Sequence, residues 1–264
     1  MNISILTNVK DEPDVREWCY YHIFILKFDH IYICDNDSKT PVRQIIKNDY
    51  KLASKVTVFE IPGQYVKNKS KQCFFSQFAR YSEWTLFIDA DEYLVLKDID
   101  NIHDFIDQQK FQNKNIDCIT FNWKFMGSNK LLKRPKQLVI EAYTDCKTNF
   151  FDKHVKSLVR NNAVISYLDM PHILKVQGNI VDSNGNPKDT SSYNTNMNQE
   201  HCIFHYWCKS REDWINKCDL VGPVLDDGSV STRIYDIWNE TTTYEYTDDY
   251  LKVNFTEELK QLMK

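Results

Sequence analysis

Hydrophobic and polar positions in the N-terminal part of the chain change period in a regular order. Alternation over Asn2–Thr7 predicts a strand, and apolar residues three and four positions apart predict an amphipathic helix over Val15–Phe28. Further strands are predicted at His30–Cys34 and Lys55–Ile61, with a helix from Pro41 to about Tyr50 between them. This alternation is typical of the nucleotide-binding half of a doubly wound sheet, so we expect a mainly parallel α/β fold flanked by helices.

The most informative stretch is Trp84–Leu96, WTLFIDADEYLVL, in which three acidic residues interrupt a hydrophobic run. Because an unpaired buried carboxylate is strongly unfavourable, such acids indicate pairing or a bound cation. The i, i+2 spacing of Asp89 and Asp91 places both on one side of an extended backbone, and oxygen ligands favour Mg²⁺ or Mn²⁺. A bare Asp-X-Asp is more often a solvated turn, but the apolar run resumes at Tyr93, which disfavours an exposed loop.

Polar residues follow three of the predicted strands, where doubly wound sheets bind their ligands. Thr7 and Asn8 follow the first strand, Asp35 the second, and Asp89–Glu92 the strand of the acidic stretch. Asp35 is therefore a candidate to accept a hydrogen bond from a ribose or a base. The alternative for Asp35 is a turn and a helix cap.

Three lysines are candidate contacts for a diphosphate. Lys67 begins a predicted helix over Lys67–Ser82, Lys156 precedes an apolar pair, and Lys209 precedes a predicted helix over Arg211–Leu220. The ordinary alternative for such lysines is a solvated basic face. His205, in a predicted strand over Cys202–Tyr206, is a candidate third metal ligand beside Asp91, and imidazole with carboxylate favours Mn²⁺ over Mg²⁺.

Glu141 is the leading candidate for a general base, because it follows apolar Leu138–Ile140 at a predicted strand end. The competing interpretation makes it a structural ion-pair partner of Lys156 or Arg160. Asp169 is a weaker candidate for the same role.

Two further segments are candidates to line a binding cleft. Trp123 ends a predicted buried strand over Asp117–Trp123, and it is a candidate either to stack on a sugar ring or to fill the core. Gly178–Gln199 is rich in Asn, Ser, Gly, Asp and Pro and predicts a long loop, which could act as a lid.

Seven ordered segments between Thr7 and about Val221 resemble the glycosyltransferase family 92 group. They are KDEPDVREWCYYH (Lys10–His22), IYICDNDS (Ile31–Ser38), WTLFIDADEYL (Trp84–Leu94), FNWKFMGS (Phe121–Ser128), VIEAYT (Val139–Thr144), HVKSLV (His154–Val159) and HYWCKSREDWINK (His205–Lys217). The resemblance implies a GT-A fold related to the family 2 transferases, and a metal-dependent, inverting transferase that uses a nucleotide-diphosphate sugar.

The resemblance also implies roles for individual residues. Thr7, Glu12 and Asp35 are expected around the nucleoside, and Asp89 and Asp91 at the metal and the sugar diphosphate. Asn8 and Ala90 complete the expected donor contacts. The sequence departs from the family pattern at Asp11, Tyr93 and Ala142, and the last of these affects the expected acceptor contacts.

Composition narrows the classes of function. The formal net charge of −4 disfavours nucleic-acid binding, and 14% aromatic residues suit a cleft that stacks rings. Neither a signal peptide nor an apolar stretch long enough to cross a bilayer is recognisable, so a soluble, cytosol-facing protein is expected. The eight cysteines include no CxxC pair, which favours reduced thiols over disulfides or a zinc site.

We therefore expect a GT-A domain over residues 1–222, with a nucleotide-sugar half at 1–97 and an acceptor half at 98–222, followed by a helical appendage at 223–264. The expected reaction is hexosyl transfer from a UDP- or GDP-type sugar, with UDP favoured, to a carbohydrate or other hydroxyl acceptor, using Mn²⁺ or Mg²⁺. The alternatives are a metal-dependent phosphohydrolase or nucleotidyltransferase, and a catalytically silent sugar-binding module. An oligomer is compatible with the sequence.

Overall fold

The computed structural model describes residues 1–63, 66–112, 115–147, 152–167, 172–196, 198–221 and 234–264. The helices in these residues are α1 (Val15–Tyr20), α2 (Val42–Lys47), α3 (Val66–Gln77), α4 (Ile102–Gln112), α5 (Val139–Ala142), α6 (Arg211–Val221), α7 (Ile234–Thr241) and α8 (Tyr250–Leu262). The strands are β1 (Ile3–Val9), β2 (His30–Asp35), β3 (Val56–Glu60), β4 (Trp84–Phe87), β5 (Glu92–Leu96), β6 (Ile116–Phe125), β7 (Asp145–Cys146), β8 (Asp152–Arg160), β9 (Val164–Ser166), β10 (Lys175–Val176), β11 (Asn179–Asp182), β12 (Pro187–Lys188), β13 (His201–His205) and β14 (Tyr246–Thr247).

Within the described residues, ten strands form one mixed sheet. The main path runs β12-β11-β6-β8-β4-β1-β2-β3, and β13 joins it by pairing with both β6 and β5. The strands β3, β2, β1 and β4 are parallel, whereas β8 is antiparallel to both β4 and β6. The expected α/β architecture, with a mainly parallel sheet and flanking helices, is confirmed.

The predicted N-terminal order β1-α1-β2-α2-β3 is also confirmed. Apolar spacing placed the first helix over Val15–Phe28, and in the structure α1 continues as a π-helical turn over Tyr21–Ile25. The helix predicted at Lys67–Ser82 is α3 followed by a short 3-10 turn at Ala79–Tyr81. β1 and β2 are buried on both faces, and α1 buries most of its residues, so the apolar residues of these elements are close together in the chain and the local pattern suffices.

Two predictions about secondary structure are wrong. Leu138–Ile140 is not a strand: α5 begins at Val139, and the buried Glu17 carboxylate accepts the backbone N–H groups of Val139 and Ile140 at 2.9 and 3.3 Å. Gly178–Gln199 is not one long loop, because β11 pairs in parallel with β6 and then with β12. In both cases a distant partner outweighs the local pattern.

The main core lies between the sheet and the helices on one face. Both β4 and β5 are buried along their whole length. Leu251 and Leu259 of α8 belong to the same apolar cluster as Trp18 of α1. The Arg16 side chain donates to the carbonyl of Met263 at 2.9 Å, so the C-terminal helix packs directly on the N-terminal elements.

Among the helices of the described residues, none combines the length and apolarity that crossing a bilayer requires.

Candidate functional site

The acidic stretch forms a tight turn between β4 and β5 rather than an extended strand end. The Asp89 backbone N–H donates to Glu92 Oε2 at 2.9 Å, and the Glu92 N–H donates to the Asp89 carbonyl at 3.1 Å. β5 then pairs antiparallel with β13, and this register sets Glu92 opposite His205. The turn therefore presents its carboxylates to a histidine from the last strand of the sheet.

Asp91, Glu92 and His205 form a compact group of metal-ligating side chains, with one ligand atom from each lying within 4.8 Å of the others. His205 Nε2 lies 3.6 Å from Asp91 Oδ1 and 3.9 Å from Glu92 Oε1. All three residues are buried. Two carboxylates and one imidazole make a donor set that suits Mn²⁺, so these residues fit a divalent cation.

The ionisation of this group also suits a cation. Burial raises the pKa of Glu92 despite the nearby Lys156 ammonium, so its charge is only partly compensated. Burial acts in the same direction on Asp91, but the Lys217 ammonium and His205 hold the pKa of Asp91 well below its usual range. A bound divalent cation would favour the ionised form of both carboxylates.

Asp89, predicted to share the ion with Asp91 and His205, lies outside this group. Residues at i and i+2 share a side only where the backbone is extended, whereas the backbone turns between the end of β4 and the start of β5. Glu92 was not among the predicted metal ligands. The available signal was its position as the first residue of a strand that pairs with the His205 strand, and that register is visible only in three dimensions.

Asp89 instead contacts two lysines. Lys156 Nζ lies 2.7 Å and Lys67 Nζ 3.1 Å from Asp89 Oδ2. Burial opposes ionisation, but the two ammonium groups lower the pKa of Asp89 below its usual range. Lys156 also reaches Glu92 Oε1 at 3.2 Å and is buried. The structure thus brings the predicted residues Lys67 and Lys156 together beside the acidic turn.

Lys217 of α6 completes the cluster and was not predicted. Its Nζ donates to Asp91 Oδ2 at 2.6 Å. A lysine in a helix is ordinarily solvated, so the sequence contains no signal for this contact. Three carboxylates thus face three ammonium groups, and that of Lys156 contacts both Asp89 and Glu92 at the two ends of the turn.

A fourth lysine, Lys71 of α3, makes the cluster positive on one side. Its side chain is buried, and burial together with the Lys156 and Lys67 charges lowers its pKa to about 8. At neutral pH this residue is still protonated, so the face formed by α3 and β8 carries an excess of positive charge. Such a face favours an anion.

Lys71→Met is expected to raise the free energy of unfolding of the ligand-free protein by on the order of 1 kcal/mol at pH 7, because a depressed lysine pKa opposes folding. The unfolded chain binds more protons than the native state between pH 8 and the ordinary value of 10.5, so wild-type stability rises with pH across that window. Urea unfolding from pH 7 to 10.5 measures this rise, which should be absent in the variant.

The same variant should bind inorganic pyrophosphate more weakly than wild type. Lys69→Met is the matched control, since Lys69 lies on the same helix and is exposed. A Lys71→Met protein that is less stable than wild type at pH 7 would contradict this account.

The end of β1 supplies unsatisfied polar atoms. Thr7 Oγ1 and Asn8 Oδ1 are buried, and neither atom has a hydrogen-bond partner among the described residues. Such atoms are rare in native proteins and indicate a missing partner such as a ligand or water. Contact of Thr7 and Asn8 with a donor stays a prediction, as does that of Ala90, which is buried in the neighbouring acidic turn.

Glu12 and Lys209, both predicted donor contacts, meet each other. Lys209 Nζ lies 2.5 Å from Glu12 Oε1 and 2.6 Å from Asp14 Oδ2. Burial raises the pKa of Glu12 despite Lys209, and the Asp91 charge adds to the rise. Lys209 has a left-handed backbone with φ of 50°, which is strained for a residue with a side chain. The pair thus lies close to the acidic turn.

The Asp35 carboxylate is engaged within its own loop. Oδ1 accepts the Ser38 N–H at 3.0 Å, and Oδ2 accepts the Val42 N–H at 2.9 Å at the start of α2. This is the helix-cap arrangement that the sequence left open. Contact of Asp35 with a nucleoside stays a prediction.

Glu141 lies on α5, where its Oε2 is 2.9 Å from Lys260 Nζ of α8. The proposed alternative partners are engaged elsewhere, Lys156 with the acidic turn and Arg160 with Glu83 and Asp117. Asp169 lies outside the described residues.

No family model matches the chain, and no curated protein matches it either. Solved structures do resemble it. TarS from S. aureus is 11% identical with a TM-score of 0.44, covering 100% of this chain and 76% of its own. A mannosyltransferase from Pyrobaculum calidifontis, solved with GDP-Man and Mn²⁺, is 13% identical with a TM-score of 0.33, covering 60% and 44%.

Glucosyl-3-phosphoglycerate synthase from Mycobacterium tuberculosis, solved with Mn²⁺, UDP and glucosyl-3-phosphoglycerate, is 18% identical with a TM-score of 0.30. The match covers 47% of this chain and 44% of that one. A complex of TarS with UDP is matched over 48% of its length, so the chain spans about half of several of these proteins. At TM-scores below 0.5 these likenesses assign no role to any residue of this chain.

Proposed function

We propose that the protein is a metal-dependent glycosyltransferase that moves a sugar from a nucleotide-diphosphate donor, with UDP favoured, to a hydroxyl acceptor with inversion. The observation that carries the proposal is that two sets of side chains meet at one turn. Asp91, Glu92 and His205, here called the cation group, could hold a metal ion; Lys67, Lys71 and Lys156, here called the anion face, could bind a phosphate. A metal ion and a diphosphate carry opposite charges, and each complements the charge of one of these two sets.

The ion pairs of the site support this interpretation. Lys156 pairs with Asp89 and, in part, with Glu92, and Lys217 pairs with Asp91, so the partners of the carboxylates are lysines that are themselves able to bind phosphate. When a divalent cation binds the carboxylates, these ammonium groups become available to the diphosphate. Binding of the two ligands should therefore be mutually dependent.

The chemistry assigned to each group follows from its charge. When bound, the metal ion would stabilise the negative charge that develops on the departing diphosphate. Asp91, Glu92 and His205 would hold it, and Lys156 with Lys67 and Lys71 would neutralise the same charge from the protein side. Thr7 and Asn8 would hydrogen-bond the nucleoside, because their side-chain oxygens are buried without a partner in the described structure.

The seven sequence segments support a placement in glycosyltransferase family 92, and the Asp-X-Asp of Asp89 and Asp91 would then be the donor motif. Glu141 stays a predicted base. Hexosyl specificity, the inverting outcome and a preference for Mn²⁺ over Mg²⁺ belong to the proposal as well.

The experiment is a thermal-shift and hydrolysis screen of UDP-, GDP- and CMP-sugars, each with MnCl₂, MgCl₂ or EDTA. A ligand at a hundredfold excess over its Kd stabilises the native state by about 2.7 kcal/mol, or about 5 to 10 °C in Tm for a chain of this size. We expect that shift for one class of nucleotide sugar, with metal only, accompanied by slow release of the free sugar.

Two results would contradict the proposal. One is the absence of any metal-dependent shift with every donor. The other is release of phosphate or pyrophosphate in place of the free sugar and nucleoside diphosphate, which would indicate a phosphohydrolase or nucleotidyltransferase. Nucleoside monophosphates serve as controls, since they lack the diphosphate that the lysines are proposed to contact.

A further inference from the structure

The indole of Trp123 lies at the centre of a group of histidines next to the cation group. Its ring centroid is 4.7 Å from that of His205, 5.2 Å from His154 and 5.3 Å from His172. The Lys156 ammonium lies 5.4 Å from the same ring. Trp123 Nε1 and His172 Nδ1 are buried without a hydrogen-bond partner among the described residues.

Sheet register explains why these rings meet. Trp123 of β6 pairs with Asp152 of β8 on one side and with Ile203 of β13 on the other. The β6–β8 ladder shifts register between Asn122 and Trp123, so it is contact that places the two side chains: both His154 and Lys156 lie against the Trp123 indole, on the same face of the sheet. That face carries the acidic turn, because Lys156 contacts Asp89 there.

The Asp152 carboxylate holds His154 in one orientation. Its Oδ1 accepts the His154 backbone N–H at 2.8 Å and also contacts Nδ1 of the same imidazole. A carboxylate oxygen only accepts, so Nδ1 carries a proton, and in the neutral form of the ring the lone pair is on Nε2. The His154 side chain is 33% exposed, which leaves it accessible to a substrate.

The surroundings of His154 suit a hydroxylated ring. The Tyr193 ring lies 4.7 Å from the imidazole, and the backbones of the two residues form an isolated β-bridge. Together with Trp123, Tyr193 offers aromatic surface next to the imidazole, of the kind on which sugars stack. His172, 5.5 Å away, is held neutral because burial and the Lys156 and Lys67 charges lower its pKa to about 3.

We propose that His154 is the general base of the transfer and that Asp152 is its positioning residue. This inference rests on the proposed glycosyltransferase function. Nε2 of His154 takes the proton of the acceptor hydroxyl while that oxygen forms a bond to the anomeric carbon. The bond from the anomeric carbon to the diphosphate oxygen breaks, and its electron pair leaves with the diphosphate. Asp152 stabilises the resulting imidazolium.

This assignment differs from the predicted base Glu141, whose carboxylate is paired with Lys260 of α8. His154 shares the Trp123 indole with His205 of the cation group, whereas Glu141 pairs with the C-terminal helix. The two candidates are therefore separable by experiment.

The test compares His154→Gln, Asp152→Asn and Glu141→Gln with wild type, and His103→Gln, a partly exposed histidine of α4 paired with Asp29, is the matched control. Transfer is measured to a panel of p-nitrophenyl glycosides, and donor hydrolysis is measured with water as acceptor. His154→Gln should lower kcat about 10²- to 10⁴-fold, the usual contribution of a general base, with the metal-dependent donor shift retained. Asp152→Asn should lower kcat with little change in KM.

A second variant separates a catalytic role from a structural one. In His154→Ala, added imidazole should restore part of the lost kcat, because it supplies the missing lone pair in the space of the deleted ring, whereas a folding defect would not respond. His154→Gln that transfers sugar within a few-fold of wild type, or an equal loss of donor binding in that variant, would overturn the inference. If the wild-type protein itself shows no metal-dependent donor binding, both the proposed function and the assignment of His154 are wrong.

Discussion

Replacing Asp91 with Asn is expected to lower sugar transfer by about 10³-fold and to abolish the metal-dependent rise in Tm with a nucleotide sugar. The substitution keeps the shape of the side chain but removes one of two carboxylates from the group formed with Glu92 and His205. Removing one group that stabilises a developing charge typically lowers kcat by about 10²- to 10³-fold, and here the affinity for the proposed cation should fall as well. Steady-state kinetics and thermal-shift titrations with MnCl₂ measure both effects.

Stability should separate this result from misfolding. Lys217, the ammonium partner of Asp91, is 45% exposed, so losing this pair should change the free energy of unfolding by less than about 1 kcal/mol. Asp37→Asn is the matched control, because Asp37 is exposed on the β2–α2 loop and Asn tolerates its left-handed backbone. Unchanged metal dependence in Asp91→Asn would remove this residue from the cation site.

Lys156→Met should produce the largest loss of stability among substitutions in the site, about 3 to 5 kcal/mol at pH 7. The Lys156 side chain is 6% exposed and its ammonium contacts both Asp89 and the fully buried Glu92. Its removal therefore leaves two carboxylates without the buried ammonium that contacts them both. Breaking a buried ion pair from one side typically costs this much. Chemical denaturation at several pH values measures the change.

The pH dependence of the loss has a definite sign. In wild type the lowered pKa of Asp89 contributes stability that is present above the ordinary value of 3.8 and is lost as the pH falls through the native value. Without Lys156, the acids bind protons more readily in the native state, so the deficit should shrink as the pH falls below about 5. A deficit that stays constant down to pH 4 would mean that lost packing, not charge, is responsible.

Two comparisons strengthen the Lys156→Met experiment. Lys67→Met removes the other lysine on Asp89, but Lys67 is 56% exposed, so the expected cost is below about 1 kcal/mol. Added MnCl₂ should restore part of the stability of Lys156→Met, since a cation at Glu92 replaces the missing positive charge. Equal losses for the two lysine variants would contradict the burial argument.

Local pattern predicted much of the fold. The first strand–helix–strand series, the strand before the acidic turn and the strand that ends at His205 follow from periodicity over a few residues. The exceptions at Leu138–Ile140 and Gly178–Gln199 are segments whose conformation depends on distant groups: the Glu17 carboxylate in one case and strand β6 in the other. Short segments of this kind have no strong preference of their own.

The position of the candidate site was predictable from the local sequence, whereas the contacts within it were not. Acidic residues within an apolar run identify the turn at Asp89–Glu92 as unusual whatever surrounds it, because buried charge requires compensation. The sequence did not indicate that Asp89 faces lysines while Glu92 faces His205, nor that Lys217 of α6 reaches Asp91. His154 was visible only as part of a sequence segment, since its significance depends on Asp152 and on the neighbouring indole.

The sequence by itself determined the order of strands and helices and the concentration of carboxylates at one strand end, because both follow from interactions between near neighbours in the chain. Tertiary structure decided which charges meet. The pairing of β5 with β13 and of β6 with both β8 and β13 brings His205, Lys156 and His154 to one face of the sheet. Strand register is set by the packing of whole faces, so the partners of each carboxylate follow from the assembled sheet and not from any single segment.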